Sequence, residues 1–204
     1  MDDATIYLQP RYIDTNGMRF NNYLDLSYVP KFEPKCEFEP KCPKPNDIIL
    51  ECGYKPESAF FEIDDGEVEE GQEFVLDRLR IDAKYLKKPI VKLEFSSLIV
   101  FEAEDEEGDE HEVEVDLLFK LIRVSKGDRE VIQTWNYLYE IDVENDIDEL
   151  EVEMSQPFTV TYCDKPCSDV CEYIMVVEGR DFEGDFDALR VVKPDLSAIA
   201  QSQC

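Results

Sequence analysis

A stretch of alternating apolar and polar residues in the middle of the chain constrains the fold more than any other feature. Within Pro89–Ala103, the side chains of Val91, Leu93 and Phe95 alternate with polar neighbours, a period of two that is typical of a half-buried β-strand. Beyond Ser96-Ser97 the run becomes continuously apolar, which predicts either burial on both faces or a bulge. We therefore predict that this stretch is the central strand of a β-sandwich.

Strand-like segments follow one another along the chain from residue 48. Two long ones come after the central strand, at Glu112–Val124 and Val131–Val143. Shorter ones are predicted at Ile48–Cys52, Ala59–Ile63, Glu73–Ile81, Glu149–Met154, Phe158–Tyr162, Tyr173–Val177 and Leu189–Val192. About nine or ten strands separated by turns indicate an all-β, jelly-roll-type β-sandwich. A helix would fit only at Asp82–Lys88 and in the C-terminal tail.

Composition and charge limit the partners of such a sandwich. Of the 204 residues, 43% are hydrophobic, which is enough to build a core and excludes disorder for most of the chain. Acidic residues outnumber basic ones by 49 to 21, and the net charge is −28. A field of this sign repels nucleic acid and anionic lipid. No apolar run approaches the ~18 residues of a membrane span, so we expect neither nucleic-acid binding nor membrane insertion.

Residues 1–45 differ from the rest and predict a separate connector arm. They hold seven acidic and six basic side chains, so nearly all of the net charge belongs to the acidic sandwich domain at 46–204. Two strand-like segments surround Asn16-Gly17, a strong β-hairpin signal, and Pro10 places the first of them at a sheet edge or a bulge. Because an isolated hairpin is marginally stable, it must dock on its own sandwich or on that of another subunit.

The second half of the arm is a proline-rich spacer that contains an internal repeat. The sequence Phe32–Cys36 returns as Phe38–Cys42. Four prolines in residues 31–45 favour an extended, semi-rigid conformation over helix or central strand. The spacer therefore presents Cys36 and Cys42 to another surface, or it is an ordinary linker with incidental cysteines.

The seven cysteines predict disulfide chemistry. Because their number is odd, at least one thiol is free or bonded to another molecule. Cys163, Cys167 and Cys171 form a C-x3-C-x3-C cluster, which we interpret as a loop tied by disulfides to itself or to Cys52. A zinc or iron–sulfur site that uses Cys52 as a fourth ligand is the alternative. Cys204, the last residue, is placed to reach another molecule.

Catalytic and metal-binding patterns are weak. The one histidine, His111, lies beside an acidic hairpin tip, where a pocket with a nucleophile is unusual, and the sequence has no phosphate-binding or dinucleotide motif. We expect no enzyme, no catalytic residue and no cofactor. The acidic stretches Glu104–Glu110 and Asp142–Glu149 could each hold Ca²⁺, which prefers oxygen ligands. Neither follows the EF-hand pattern, and solvated loops are the alternative.

Four short motifs then identify a resemblance: Ile48–Gly53, Val91–Ser97, the cysteine cluster at 163–171 and Leu196–Ala200. Together they resemble an uncharacterised, cysteine-rich, all-β domain family of spore-forming anaerobic bacteria. Its members typically read L-x-C-G, V-K-[IL]-E-F-[ST]-S, a Cys-rich loop and L-S-A-I-A. That family is similar in style to the jelly-roll subunits of bacterial endospore appendages, which lack signal peptides.

The resemblance implies roles for the cysteines, because appendage subunits carry an N-terminal connector whose cysteines bond to neighbouring subunits. Cys36 and Cys42 would be connector thiols. The acceptors or internal pairs would come from Cys52, Cys163, Cys167 and Cys171.

Pattern and resemblance together predict a structural subunit of an extracellular or spore-surface filament. It would be exported without a classical signal peptide, because the start Met1-Asp2-Asp3 is acidic and no hydrophobic region follows it. The arm would add a strand to the next subunit, with Cys36, Cys42 or Cys204 locking the contact. Two alternatives remain at this point: an acidic module that binds Ca²⁺ or carbohydrate, and a metal or redox protein that uses the cysteine cluster.

Overall fold

The structure is a computed structural model that describes residues 48–105, 110–144, 150–166 and 170–202. These residues form eleven β-strands and no helix, so they contain no helix that could cross a membrane. The strands are β1 (Ile48–Cys52), β2 (Ala59–Phe60), β3 (Ile63–Asp64), β4 (Glu67–Val68), β5 (Glu73–Asp82), β6 (Pro89–Asp105), β7 (Glu110–Ser125), β8 (Asp128–Glu144), β9 (Leu150–Asp164), β10 (Val170–Glu183) and β11 (Asp185–Ser202). The N-terminal arm lies outside the described residues, so its hairpin stays a prediction.

Two antiparallel sheets form the jelly-roll sandwich that the sequence predicts. Sheet one has the order β1-β11-β6-β9, with β2 also paired to β11, and sheet two has the order β5-β10-β7-β8. Apart from the hairpin of β7 and β8 within sheet two, successive long strands from β5 onward cross between the sheets, which produces the double Greek-key order of a jelly roll. The strands β3 and β4 form a small separate ribbon.

The central strand β6 confirms the prediction for Pro89–Ala103, because it pairs with β11 on one side and β9 on the other. Alternation persists through its apolar half, where Ile99 and Phe101 enter the core, while Leu98 and Val100 are half-buried on the outer face. The bulge lies in the neighbouring strand β11, between Val192 and Asp195. That site contains Pro194, which suits a bulge because proline cannot donate to the ladder.

Several predicted boundaries are wrong in instructive ways. Glu149–Met154 and Phe158–Tyr162 belong to the single strand β9, which tolerates Pro157 because β9 is an edge strand. Leu189–Val192 and the C-terminal tail form the single strand β11, so the helix considered for the tail is absent. A turn, in which Leu86 donates its N–H to Ala83, replaces the helix considered for Asp82–Lys88.

The core lies between the inner faces of the two sheets. The predicted inward face of β7 is confirmed, because all five of its members are fully buried: Val113, Val115, Leu117, Phe119 and Leu121. Phe119 stacks on Phe158 of sheet one with ring centroids 4.0 Å apart. A fully buried aromatic pair of this kind dominates the burial of apolar surface.

One long margin of the sandwich is closed by the connection between β1 and β2. Tyr54 and Glu57 donate their backbone N–H groups to the carbonyls of Arg78 and Leu76 in β5. This connection therefore covers the outer edge of sheet two. We call this side the closed margin.

A buried carboxylate holds the closed margin together. Asp77, only 1% exposed, accepts backbone N–H groups from Lys55 at 3.2 Å, Arg78 at 2.7 Å and Leu196 at 3.1 Å. These donors come from three different segments, so a single side chain joins the connection to both sheets. A Cβ at Gly53 would lie 1.8 Å from Asp77 Oδ2, which explains why glycine follows Cys52.

Candidate functional site

The opposite long margin consists of two edge strands, β8 of sheet two and β9 of sheet one. Apolar side chains that are only partly buried line it: Ile132, Trp135, Tyr139 and Ile141 from β8, and Leu150, Met154 and Tyr162 from β9. A hydrogen bond joins the two strands, in which Tyr137 Oη donates to Gln156 Oε1 at 2.8 Å. We call this side the open margin, because no described segment covers it.

The backbone of β8 is the most accessible edge in the described part of the chain. Edge strands present unpaired N–H and C=O groups, and proteins usually protect them with proline, short length or a covering loop. Strand β9 contains Pro157, β1 has only five residues, and β5 is covered at the closed margin. Strand β8 has 17 residues and no proline, so it offers the longest unprotected edge among these residues.

A bulge in β8 corrects one predicted face. The sequence groups Val131 with Trp135 and Tyr139 on the core side, but the register shifts opposite Leu121 and Ile122. Val131 is consequently 51% exposed, whereas Ile132 packs on the core. The stretch free of irregularity therefore begins at Gln133.

Two exposed free thiols lie on the outer face of sheet one. Cys52 ends β1 and pairs with Ser197, while Cys163 lies near the end of β9 and pairs with Lys92. Because β1 and β9 are the opposite edges of a four-strand order, about 14 Å separates the two strands at ~4.8 Å per strand. A disulfide needs Cα atoms closer than about 7 Å. Cys52 therefore neither pairs with Cys163 nor joins it at a metal.

Cys171 is buried in β10 of sheet two, opposite Ile81. It therefore lies in a different sheet from Cys163, and the structure does not bring the described part of the cysteine cluster together as a metal site. Cys167 lies outside the described residues, as do Cys36, Cys42 and Cys204. Their pairing stays a prediction.

The base of the cysteine loop is fixed by a buried ion pair. Arg123 donates two hydrogen bonds to Asp164, at 2.8 and 2.9 Å, and one to Glu130 at 2.8 Å. Asp164 also accepts a 2.8 Å hydrogen bond from Tyr173 Oη. Burial, together with the charge of Asp164, raises the pKa of Tyr173, so this hydroxyl stays protonated and donates. The exposed Cys163 directly precedes Asp164, whose side chain is held in place by these hydrogen bonds.

Carboxylates crowd the outer face of sheet two at the end where β7 begins and β10 finishes. The carboxylate oxygens of Glu112, Glu114 and Glu183 all lie within 4.8 Å of one another. The hydrogen bond to Glu183 raises the pKa of Glu112, and burial followed by the charges of neighbouring carboxylates raises the pKa of Glu114. Like charges that face each other across strands destabilise a sheet, so this cluster would gain from a bound cation.

A second set of carboxylates lies at the same end of sheet one. Glu102 pairs with Glu153, and Glu104 pairs with Glu151. These residues and Asp187 surround one shallow depression. Both sheets therefore end in rows of acidic side chains.

Sequence reasoning placed the calcium candidates in the acidic loops and missed this cluster. Parts of Glu104–Glu110 and Asp142–Glu149 lie outside the described residues. The alternation of Glu112, Glu114 and Asp116 with valines already indicated one acidic face of β7. The contribution of Glu183 follows only from the pairing of β10 with β7. The backbone of His111 pairs with Val143 in the β7–β8 ladder.

Comparison with known proteins places the chain in a family without assigning an activity. Among proteins with curated functions, none matches this sequence. The sequence profile of one domain family, described as a domain of unknown function, matches residues 46–201. This range contains all eleven strands except the last residue of β11, and it begins where the predicted arm ends. The chain belongs to the DUF4489 family of domains of unknown function.

Proposed function

We propose that this protein is a structural subunit of an extracellular or spore-surface filament, in which the N-terminal arm of one subunit adds a strand to the next. The observation that carries the proposal is the open margin, where the long edge of β8 lies beside partly buried apolar side chains. Added strands gain main-chain hydrogen bonds from such an edge and specificity from alternate side chains. The arm, with its near-neutral charge and its alternating apolar residues, has the chemistry of such a strand.

Polymerisation follows from the geometry of this contact. A donor arm and an acceptor edge are different surfaces of one chain, so the contact is heterologous. Heterologous contacts produce open fibres unless the rotation between subunits closes a ring. The acidic body repels lateral neighbours, which favours separate filaments over aggregates.

Disulfides between Cys36 or Cys42 of one subunit and an exposed thiol of the next would lock the contact. Cys52 and Cys163 are suitable acceptors because both are exposed on the outer face of sheet one and cannot pair with each other. Formation of each bond removes two protons and two electrons from a pair of thiols. A small-molecule disulfide would accept them by thiol–disulfide exchange.

The direct test is deletion of residues 1–45, followed by negative-stain electron microscopy of the purified protein. We expect filaments from the full chain and single particles from the truncated chain. The folded state of the truncated protein is checked by its β-sheet circular dichroism and its cooperative thermal unfolding. Unchanged polymers from the truncated protein would exclude the arm as the donor.

The covalent lock has a separate test. Replacement of both Cys36 and Cys42 by serine should convert ladders on non-reducing gels to monomers and leave non-covalent filaments in place. Cys52→Ser and Cys163→Ser, made singly, identify the acceptor, because only one of them should remove the cross-linked peptide from a mass-spectrometric digest. Retention of the full ladder in the double serine variant would contradict the lock.

A second candidate function is Ca²⁺ binding, and the Glu112, Glu114 and Glu183 cluster favours it. Burial raises the pKa of the adjacent Asp116, and its Oδ1 atom is buried without a hydrogen-bond partner. Titration calorimetry with Ca²⁺ should show a site that disappears in Glu114→Gln but persists in Glu94→Gln, on the outer face of β6. Absence of heat in the unmodified protein would exclude this candidate.

A further inference from the structure

The two ends of the sandwich carry opposite kinds of charge. At one end lie the connection between β5 and β6 and the turn between β7 and β8, where Lys84, Lys87, Lys88 and Lys126 are all exposed. Two exposed carboxylates lie beside them, since Asp82 pairs with Lys84 at 3.1 Å and Asp128 follows the β7–β8 turn, so lysines outnumber carboxylates here by four to two. We call these four lysines and Tyr85 the basic end. Tyr85 is 78% exposed, and Lys84 lies over its ring at 4.8 Å. An exposed aromatic side chain with a cation over its ring is a common centre for protein contacts.

The other end is almost entirely acidic. It comprises the carboxylates described above together with Glu140, Asp142 and Asp181, and Arg180 is the basic side chain that lies beside Asp116 among them. The set is Glu102, Glu104, Glu151, Glu153 and Asp187 on sheet one, and Glu112, Glu114, Asp116, Glu140, Asp142, Asp181 and Glu183 on sheet two. We call this set the acidic end. Lys120, which pairs with Glu73 and Glu178, lies nearer the middle of sheet two. At about 3.3 Å per residue, about 45 Å separates Lys88 from Glu102 along β6, and about 30 Å separates Asp116 from the turn that follows β7.

The arm joins the body at the basic end. Ile48, the first described residue, pairs with Gln201, and Gln201 also pairs with Ile90. Ile90 begins the central strand directly after Lys88. Ile48, the residue at which the preceding segment attaches, therefore lies at the same end as the exposed lysines.

We propose that the basic end of each subunit faces the acidic end of the next, so that subunits stack head to tail with the arm crossing the junction. This inference rests on the proposed filament and specifies its polarity. Two acidic ends repel each other, whereas a basic end and an acidic end attract. Charge complementarity of this kind mainly sets orientation and association rate, while a strand contact supplies most of the affinity. Individual exposed ion pairs contribute little, so the summed field of each end is what matters.

Zero-length cross-linking of the full chain tests the contact directly. A carbodiimide joins a lysine amine to a carboxylate only when the two touch. Because about 30 Å or more separates these lysines from the acidic end of their own subunit, any link between Lys84, Lys87 or Lys88 and a peptide of the acidic end must join two subunits. A mixture of ¹⁴N and ¹⁵N protein should show these links as mixed-isotope peptides. Filaments whose links never join the two ends would overturn the proposal.

Charge reversal tests the energetic role. We expect the triple variant Lys84→Glu, Lys87→Glu, Lys88→Glu to lower the rate of assembly at least about tenfold at low salt, where the field is least screened. The matched control reverses Lys55, Arg190 and Lys193, which lie nearer the middle of the sandwich than the basic end does. It makes the same change in net charge and should slow assembly less than about threefold. Equal slowing by the two variants would overturn the proposal.

These outcomes separate the polarity from the filament itself. If the full chain forms no polymer under any salt condition, the filament and its polarity both fail. If polymers form and need residues 1–45, but tolerate the basic-end variant without slowing, only the polarity fails. Restored assembly when the basic-end variant is mixed with a Glu102→Lys, Glu151→Lys, Glu153→Lys partner would support the polarity.

Discussion

The closed and open margins complete the same sandwich by different means. At the closed margin, Asp77 and the β1–β2 connection satisfy backbone groups from both sheets. At the open margin, β8 and β9 meet through side chains and leave their outer backbone edges unpaired within the described residues. The first margin is complete within one chain, and the second has the features of an acceptor. The comparison teaches that stability should concentrate at one side of this sandwich and assembly at the other.

The largest expected effect is at the centre of the closed margin. Asp77→Ala removes the acceptor of three backbone N–H groups, of which that of Leu196 is buried and those of Lys55 and Arg78 are partly buried, and a donor left buried without a partner costs about 1–3 kcal/mol. We expect a loss of about 3–5 kcal/mol in the free energy of unfolding, measured by urea titration. The exposed Asp195→Ala should change it by less than about 0.5 kcal/mol. A similar loss of unfolding free energy in both variants would contradict a special role for Asp77.

Matched aromatic truncations compare the two margins. Phe61 is buried at the closed margin, with its ring centroid 5.1 Å from that of Phe74, so Phe61→Ala should cost about 3–4 kcal/mol. Trp135 is only partly buried at the open margin, and Trp135→Ala should cost the monomer about 1–2 kcal/mol. Filament assembly should respond in the opposite order, with Trp135→Ala reducing it more. If Phe61→Ala and Trp135→Ala had equal effects on the free energy of unfolding and equal effects on assembly, the proposed difference between the margins would be wrong.

A smaller loss of stability is expected at Gly53, next to Asp77. The methyl group of Gly53→Ala would lie 1.8 Å from Asp77 Oδ2, so the carboxylate or the backbone must move. We expect a cost of about 2 kcal/mol by thermal unfolding, in the range of overpacked sites. Gly71→Asn is the control, since no atom lies within 4 Å of a Cβ there and asparagine tolerates positive φ. A cost at Gly71 as large as that at Gly53 would argue against the close approach.

The smallest expected effect concerns pH and lies at neither margin, but at the carboxylates on the outer face of β7. The pKa values of Glu112, Glu114 and Asp116 are raised in the folded state. At pH values just above the usual pKa range of carboxyl groups, the folded state therefore binds more protons than the unfolded state. Stability therefore falls as pH rises through that window. Acidification from pH 7 to about 5 should stabilise the protein by less than about 1 kcal/mol, since solvent screens these groups. Glu114→Gln should flatten the thermal-unfolding profile, and an unchanged profile would contradict this origin.

Local pattern was sufficient to identify the strands but not their ends. The inward face of β7 and the central position of β6 follow from alternation, because period-two sequences bury one face. The continuity of β9 through Pro157 does not follow, since proline is tolerated only on an edge, and edge position is a property of the sheet. The exposure of Val131 likewise depends on a register shift against β7. Turn residues did carry unused information, since Asp65-Gly66 links β3 and β4 with both residues at positive φ.

The candidate sites likewise combine features that the sequence identified with features that only the fold revealed. The sequence identified the exposed cysteines and the acidic character of the chain, because residue type alone decides charge and thiol chemistry. It could not separate Cys52 from Cys163, which lie on opposite edges of sheet one, or gather Glu183 beside Glu112. Such distances arise only when strands far apart in sequence pair.

The sequence by itself determined an acidic all-β body preceded by a chemically distinct segment, because composition and alternation act locally. Only the tertiary structure decided which margin is closed, which edge stays unpaired and where the lysines and carboxylates gather. The physical reason is that backbone hydrogen bonds between distant strands, not local preference, choose the neighbours of each strand. In this chain, the carboxylate of Asp77 and the edge of β8 acquire their roles from those neighbours.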